Sequence, residues 1–598
     1  MSTRAGFHGS VSAEVEPHRL KDLDKDVLSM VRTYLRPHRL RLWLAMVSMV
    51  VVSAVNVIAP YLVKVAIDQY IIPGNLRGLT WILAAYAVLY GAFWFASYWG
   101  SLFSTLVGQS IVSRIRQDLY EHLMSLSVDF YEKRKSGDIM SRLVNDVNSL
   151  SDLVSRGFVG AVSDSLTMVA TVGFMFTLHV KLTLASLAVI PFIVVGTSVL
   201  GRLMRKASRE VRQRLGDLNT GVEQNIAGMR VVQSMAGQKS TVANLDRLSK
   251  ETYAANVKAV VASALFFPFM SASGTVSSAL VLWAGGAMVA HGTLTPGLLI
   301  AFVSYVSKFF LPLRDLSQLY GLYQTAAASA ERLHEYLKVE PAVRDSTHPV
   351  KMERTIKGDI EFHDVTFGYS PGQHVFSGFS LRIPGGQATA IVGPSGAGKS
   401  TIVKLISRLY DVEQGSVTID GIDVRDISLE DLRSLISFVP QDVVLFPGTI
   451  AENIALGRPD ACIEDIVEAA RKCSLDHLVN SLKEGYDTEV GERGVRLSGG
   501  QRQLVSFARA LLMNCPILIL DEAISSVDAS TERLIQSAMG ELMKGRTTIV
   551  VAHRFSTVRN VAGIVVLKQG KLIGYGTHEA LLESVPLYKE LCDRQMMS

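Results

Sequence analysis

The sequence predicts two architectures in one chain: an all-α membrane domain of six helices with long cytoplasmic helical arms, fused to an α/β phosphate-loop domain. Three observations carry this. Six apolar runs, each near the ~20 residues a helix needs to cross hydrocarbon, lie before residue 320. Two of the connections between them extend for about fifty polar residues each. Gly393-Pro-Ser-Gly-Ala-Gly-Lys-Ser400 matches G-x-x-x-x-G-K-[ST] in full and sits between strand-like Ala388–Val392 and helix-like Thr401-Ile-Val-Lys-Leu-Ile.

The totals agree with a chain of two unlike halves. Mean hydropathy over 598 residues is +0.26, which is high for a soluble protein. Charge is sparse inside the apolar runs, whereas from about residue 358 the composition is that of a soluble α/β domain. The net charge of +5 could suggest nucleic acid, but the basic residues crowd the loops between apolar runs, which fits a membrane and not a nucleic-acid partner. All four cysteines (Cys462, Cys473, Cys515, Cys592) fall in the C-terminal half without metal-like spacing and read as reduced cytosolic thiols.

Residues 1–22 are expected to be disordered, and the charged opening of the chain carries no signal-peptide pattern. Leu23, Val27, Leu28, Val31 and Leu35 recur at helical spacing just before the first span, as in a helix lying along the inner membrane surface. The spans are expected at 42–63, 79–103, 159–178, 182–201, 257–282 and 296–316 within a membrane domain of residues 23–332. Connections after the first, third and fifth are short (Asp68–Gly78, His179–Lys181, Gly285–Thr295). Ten Lys/Arg between Arg202 and Lys250 put the long connections and both termini in the cytoplasm. With few breakers and near-helical periodicity, the long connections read as extensions of the spans that project roughly 35 Å and turn near Leu119–Tyr131 and Gln224–Val232.

Ionisable residues at membrane depth usually face a polar cavity or a partner. Lys308, midway along the sixth span, and Asp164, in the third, are therefore candidate cavity residues, with snorkelling or mutual pairing as the plainer alternative. Asp68 and Arg314 stand at span ends.

Residues 333–357 read as a linker and 358–598 as the nucleotide domain. In the phosphate loop, Gly393, Pro394, Ser395, Gly396, Ala397, Gly398, Lys399, Ser400 and Thr401 are the candidate cradle. Its glycines let several N–H groups point into one anion hole at a helix N-terminus. Lys399 is placed to reach the β- and γ-phosphates, and Ser400 to hold Mg²⁺. The apolar run Ile517-Leu-Ile-Leu520 ends in Asp521-Glu522: Asp521 would serve Mg²⁺, and Glu522 stands where a base or water-positioning group is needed. Together the two elements point to nucleoside triphosphate hydrolysis.

Leu497-Ser-Gly-Gly-Gln501 is the most specific further motif, and with it residues 358–598 resemble an ATP-binding cassette domain. From about residue 23 the whole chain resembles the half-transporters of the bacterial lipid-flippase and multidrug-exporter family. The membrane half carries this through Phe130-Tyr-Glu-Lys-Arg-Lys-Ser-Gly-Asp138, Ser141-Arg-Leu-Val-Asn-Asp146, Glu223 with Gly228, Gly292-Thr-Leu-Thr-Pro-Gly297 and Ala328-Ser-Ala-Glu-Arg332. The resemblance implies that Tyr369 stacks on adenine and that Gln441 senses Mg²⁺ and water. It also implies that Thr488–Gly494 meets the cytoplasmic arms, that Leu497, Ser498, Gly499, Gly500 and Gln501 close on the γ-phosphate of a second subunit's ATP, that Asp528 lines the dimer seam, and that His553 contacts the γ-phosphate. Ile524, Ser526-Val527 and Gly563 depart from the family pattern without removing a catalytic atom.

The expected function is ATP-driven outward movement of an amphipathic, drug-like or lipid-like compound by a homodimer in the bacterial inner (cytoplasmic) membrane. A heterodimeric subunit, an ATP-gated channel or regulatory membrane ATPase, a soluble chromosome- or repair-type ATPase and an importer are the alternatives. The six spans weigh against the soluble ATPase. With only a short stretch before the first span, no fused cargo peptidase is expected.

Overall fold

A computed structural model describes residues 33–351, 356–491, 494–521, 529–552 and 561–596. The expected disordered N-terminus, most of the surface helix before the first span, and Glu522, Asp528 and His553 lie outside the described residues, as does the side chain of Arg314. The described chain separates into two bodies: residues 33–123 with 137–338, and residues 124–136 with the described part of 339–596.

The N-terminal body is all helix. Five helical stretches (Thr33–Ile71, Leu76–Ser125, Ser136–Leu178, Val180–Ala227 and Gln238–Ala290) are long and apolar enough to cross a membrane, and a shorter apolar run, Pro296–Phe310, opens the helix Pro296–Leu337. In their most apolar windows only 6–28% of residues are buried. Trp43, Trp81, Trp94 and Trp283 all face outward. In water such a surface would be strongly unfavourable, whereas lipid tails accept it and the helices satisfy their own backbone.

Spans and arms are continuous, as the scarcity of breakers predicts: Leu76–Ser125 is one 50-residue helix. Two interruptions differ from that expectation. One helix ends at Leu187 and the next starts at Ile190; another ends at Ala264 and the next starts at Phe266. Each stop falls four residues before a proline, Pro191 or Pro268, which has no N–H to offer that carbonyl and whose ring crowds it. Pro60 and Pro312 lie inside unbroken helices.

Close approach explains one small residue. A Cβ on Gly108 would fall 1.7 Å from Ser155 Oγ, where the Leu76–Ser125 helix meets the following one and Ser104 Oγ donates to Ser155 O at 2.6 Å. At the other end of this body, Asp68 accepts from Thr295 Oγ1 (2.6 Å) and Gly297 N (2.8 Å), so its carboxylate caps the last helix.

A buried polar cluster ties the arms to the end of that last helix. Asp146, 4% exposed, accepts from Arg332 Nε (3.0 Å) and Nη2 (2.5 Å), Ser329 Oγ (2.9 Å) and Arg142 Nη1 (3.1 Å). Arg142 also reaches Asp138, whose other oxygen accepts from Tyr336 OH at 2.6 Å. The two motifs Ser141–Asp146 and Ala328–Arg332 are thus one contact. Burial opposes ionisation of Asp146, but the Arg332 and Ser329 hydrogen bonds outweigh it and hold the carboxyl below its usual range. A depressed folded pKa contributes stability that is present above the unfolded value, near ~4, and is lost as pH falls through the folded one. Wild type is therefore expected to lose thermal stability in detergent more steeply than Asp146→Asn as pH falls below the ordinary carboxylate range. Parallel pH profiles would show that no depressed carboxyl is at work there. Arg332→Ala at pH 7 is expected to cost roughly 2–4 kcal/mol, at or below the figure for a fully buried pair because the guanidinium is partly wet.

The C-terminal body holds two sheets. Strands β1 (Ile360–Ser370), β2 (Gln373–Ile383), β4 (Gln414–Ile419) and β5 (Ile422–Asp423) form an antiparallel sheet in the order β2-β1-β4-β5. Strands β3 (Ala388–Val392), β6 (Ile436–Val439), β7 (Ile517–Asp521), β8 (Thr547–Val551), β9 (Gly563–Lys568) and β10 (Lys571–Gly576) form the second, ordered β10-β9-β3-β8-β7-β6. Neighbours from β9 to β6 are parallel, and β10 pairs antiparallel to β9. The pleat sorts the apolar run of β7 between two cores. Ile517 and Ile519 pack with the helix Lys399–Ile406 and the antiparallel sheet, while Leu518 and Leu520 pack with the helix Gly499–Met513.

The cysteines behave as expected for unpaired thiols. Cys462 is exposed, and Cys473, Cys515 and Cys592 are buried. Burial pushes the Cys473 thiol up to about 12 and that of Cys515 to about 11, so both stay protonated and unreactive.

Candidate functional site

Parallel pairing of β3, β8, β7 and β6 brings their C-terminal ends to one sheet edge, where open α/β sheets bind ligands. The phosphate loop leaves β3 there and runs into the helix Lys399–Ile406. Gly398 caps that helix at φ 102°, a left-handed conformation open to glycine, and a Cβ on it would lie 2.9 Å from the Phe376 ring. Ser395, Gly396 and Ser400 are exposed, while Ala397, Lys399 and Thr401 are buried. Lys399 is 6% exposed, and its ammonium donates to Gly393 O (2.8 Å) and Pro394 O (3.2 Å), so the loop's own carbonyls hold the charge beside the cradle.

Asp521 ends β7, and Gln441 lies two residues past the end of β6, exposed. Strand pairing sets Val439 against Leu520, which puts Gln441 and Asp521 on the same edge as Ser400. Hydroxyl, carboxylate and amide oxygens are the donor types a hard divalent cation takes, so this set fits Mg²⁺. The loop after Gln441 is pinned by Asn453, 1% exposed, which exchanges hydrogen bonds with Phe446 N and O.

Tyr369, at the end of β1, lines a cavity of about 380 Å³ together with Gln373, His374, Gly396 and Gln569. That volume is within the range of small-molecule sites. The tyrosine also has packing partners. Its ring meets Phe367 and Tyr410 edge-on at 5.1 and 5.2 Å, and its hydroxyl is 3.1 Å from Thr401 Oγ1.

The signature starts a helix. Ser498 caps Gly499–Met513 through a capping box: its hydroxyl accepts from Gln501 N at 3.3 Å, and Gln501 Oε1 accepts from Ser498 N at 2.8 Å. Leu497 is buried, whereas Ser498 and Gly499 are exposed. Among the described residues a Cβ on Gly499 would meet nothing nearer than Arg502 at 4.0 Å, so their packing does not call for the glycine. Within the Thr488–Gly494 stretch, Thr488 O and Val490 N pair with Ile450 N and Gly448 O; Glu492 and Arg493 are outside the described residues.

In the N-terminal body, Lys308 is half-buried and donates to Asn56 Oδ1 at 2.6 Å, one turn from Tyr305, whose hydroxyl donates to Val57 O. Asp164 is half-buried in Val159–Leu178.

The sequence placed Glu132 in the first-arm motif Phe130–Asp138 without a role and singled out neither Lys404 nor Tyr410. The first arm's tip, Met124–Ser136, belongs to the C-terminal body. Its helix Val128–Lys133 carries Glu132, whose carboxylate accepts from Lys404 Nζ (2.8 Å) and Tyr410 OH (2.9 Å). The expected tip at Leu119–Tyr131 was the available signal, but no motif marks the partners.

Comparison with known proteins agrees with this geometry. Residues 42–313 match the family described as ABC transporter transmembrane region, and residues 376–525 match the ABC transporter domain. The chain is 36% identical over 578 residues to the ATP-dependent lipid A-core flippase of Syntrophus aciditrophicus, covering 97% of this chain and 95% of that one. It is 34% identical to the flippase of the same name from Desulfotalea psychrophila, covering 96% and 100%. The solved structure of a bacterial Atm1-family ABC exporter with ATP bound superposes with a TM-score of 0.77 at 27% identity, over 93% of this chain and 98% of that one.

Proposed function

The chain belongs to the ABC transporter family as an exporter-type half-transporter, and from this premise we propose that two copies pump an amphipathic, lipid-like or drug-like compound outward across the bilayer. It is a multi-pass membrane protein with a cytoplasm-facing ATPase domain, and its ATP-driven cycle is of the exporter type. The lipid-like cargo is inferred from the flippases it resembles, and the sixth span from Pro296–Phe310.

The observation that carries the two-copy reading is the signature. Ser498 and Gly499 present a helix N-terminus that is exposed among the described residues, the kind of surface a phosphate from a second chain's ATP would meet. The second arm's tip, Met229–Ser234 with its flanks, likewise exposes Ile226, Val231 and Met235. In the cycle, the loop amides and Lys399 bind the β/γ-phosphates, and Ser400, Gln441 and Asp521 would hold Mg²⁺, Asp521 through water. Glu522 orients the attacking water, and His553 and Asp528 serve the γ-phosphate and the seam. When bound, Mg²⁺ would neutralise phosphate charge. Closure of two such sites would draw the arms together and tip the spans outward, a two-state switch biased by the γ-phosphate.

Reconstituted into liposomes, the protein is expected to accumulate a fluorescent lipid analogue or amphipathic dye against its gradient only with ATP. Flux that merely follows the gradient would identify a channel instead.

With Asp164 as a second cavity residue, Lys308 is proposed as a cargo contact. Its ammonium has a neutral amide as hydrogen-bond partner, leaving charge to offer an anionic headgroup. Lys308→Ala is expected to reduce substrate-stimulated ATPase severalfold, most for acidic amphiphiles, with basal ATPase within about twofold. Basal and stimulated rates that fall together would leave the lysine a structural strut to Asn56.

A further inference from the structure

The tip of the first arm reaches the wall of the nucleotide cavity through four side chains. Residues 124–136 pack within the C-terminal body, anchored by buried Phe130 and by Ser127 Oγ, which accepts from Val343 N at 2.9 Å. Glu132 then grips two groups at once, Lys404 Nζ on one oxygen and Tyr410 OH on the other. Lys404 lies on the helix that begins at the phosphate loop, three residues beyond Thr401. Its ammonium sits 5.1 Å from the Tyr369 ring centroid and 5.6 Å from that of Tyr410. Tyr410 meets Tyr369 edge-on at 89°, and Thr401 holds the Tyr369 hydroxyl. The edge, the cation and the hydroxyl contact that orient Tyr369 therefore come from Tyr410, Lys404 and Thr401, and Glu132 fixes the first two.

From this geometry we infer that Glu132, Lys404 and Tyr410 are positioning residues through which the first arm sets the orientation of the Tyr369 platform and so reads the nucleobase. The inference rests on the reading that Tyr369 takes the adenine. A charge-assisted bond from Lys404 to Glu132 fixes where the ammonium sits, and a fixed cation beside an aromatic ring fixes the ring. Burial opposes the Glu132 charge, but the bonds from Lys404 and Tyr410 prevail and keep the carboxylate ionised at neutral pH. Coupling of this kind is reciprocal: a base seated on Tyr369 strengthens docking of the tip as much as the docked tip strengthens base binding. Because the base, and not the γ-phosphate, is what this contact touches, ATP and ADP should report it equally.

The test uses the full transporter in liposomes. Glu132→Gln, Lys404→Met and Tyr410→Phe are each expected to raise KM for ATP about fivefold and weaken ADP binding by a similar factor, with kcat within about twofold. Each should narrow the preference for ATP over GTP. The double variant Glu132→Gln/Lys404→Met should be no worse than the poorer single, and the swap Glu132→Lys/Lys404→Glu should recover part of the loss. A purely structural tip would lower yield and kcat while leaving base preference where it was, and that result would overturn the inference. Tyr369→Ala separates the two layers. If it raises KM while Glu132→Gln changes neither KM, ADP affinity nor base preference, the base site stands and the link to the arm falls. If Tyr369→Ala leaves KM unchanged, the base-site reading falls and the link with it.

Discussion

Glu522→Gln is expected to abolish steady-state ATP hydrolysis while leaving ATP binding intact. The preceding residue, Asp521, ends β7 on the sheet edge that also carries the phosphate loop and Gln441. In the proposed mechanism the Glu522 carboxylate, next in sequence, orients or deprotonates the water, and an amide of the same shape cannot take a proton. General-base contributions of about 100- to 10,000-fold set the expected loss in turnover. Binding depends on other groups, the loop amides and Lys399, so nucleotide affinity should stay within a fewfold of wild type. Two chains that bind but cannot hydrolyse should accumulate closed. Cysteine pairs introduced across the seam should then crosslink in ATP and not in its absence. Phosphate release at the wild-type rate would remove Glu522 from the mechanism.

Lys399→Ala should fail one step earlier. Lys399 is buried, and its ammonium is held by the carbonyls of Gly393 and Pro394, so the alanine loses both the cation facing the phosphates and the two bonds that bridge the loop to its helix. Removing one partner of a buried charge-assisted contact costs roughly 2–4 kcal/mol, or roughly 30- to 1,000-fold in Kd for ATP. Equilibrium binding of a fluorescent ATP analogue measures it directly. The two variants should part cleanly: Glu522→Gln binds and stalls, whereas Lys399→Ala hydrolyses little because it binds little. Wild-type affinity in Lys399→Ala would mean that the loop amides suffice and that the lysine serves only loop shape. Arg332→Ala acts on stability instead and should leave nucleotide affinity near wild type.

The nucleotide site was legible because its chemistry is local. An anion hole needs consecutive N–H groups at a helix start, so glycines at 393, 396 and 398 followed by Lys399 and Ser400 announce it without any knowledge of the fold. The signature helix could have been found in the same way, since Ser498 and Gln501 cap it three residues apart. The apolar spans were legible because lipid imposes a length and forbids open backbone. The two helix breaks could also have been found, as Pro191 and Pro268 mark them through a rule that acts within one turn.

By itself, then, the sequence determined a membrane half and a phosphate-loop half, the residues of the cradle, and the strand that delivers Asp521. Tertiary structure alone decided which charges meet. Glu132 and Lys404 are 272 positions apart, and Asp146 and Arg332 are 186 apart. In sequence Glu132, Asp146 and Arg332 stand in motifs of the membrane half and Lys404 on the helix after the phosphate loop, but nothing there says which charge meets which, because charge carries no periodic signal of its partner. Their pairing depends on where the arm tip packs and on how the last helix returns beside the third. Only packing could turn Glu132 into a brace for Tyr369, or Asp146 into a buried anion held by two arginines.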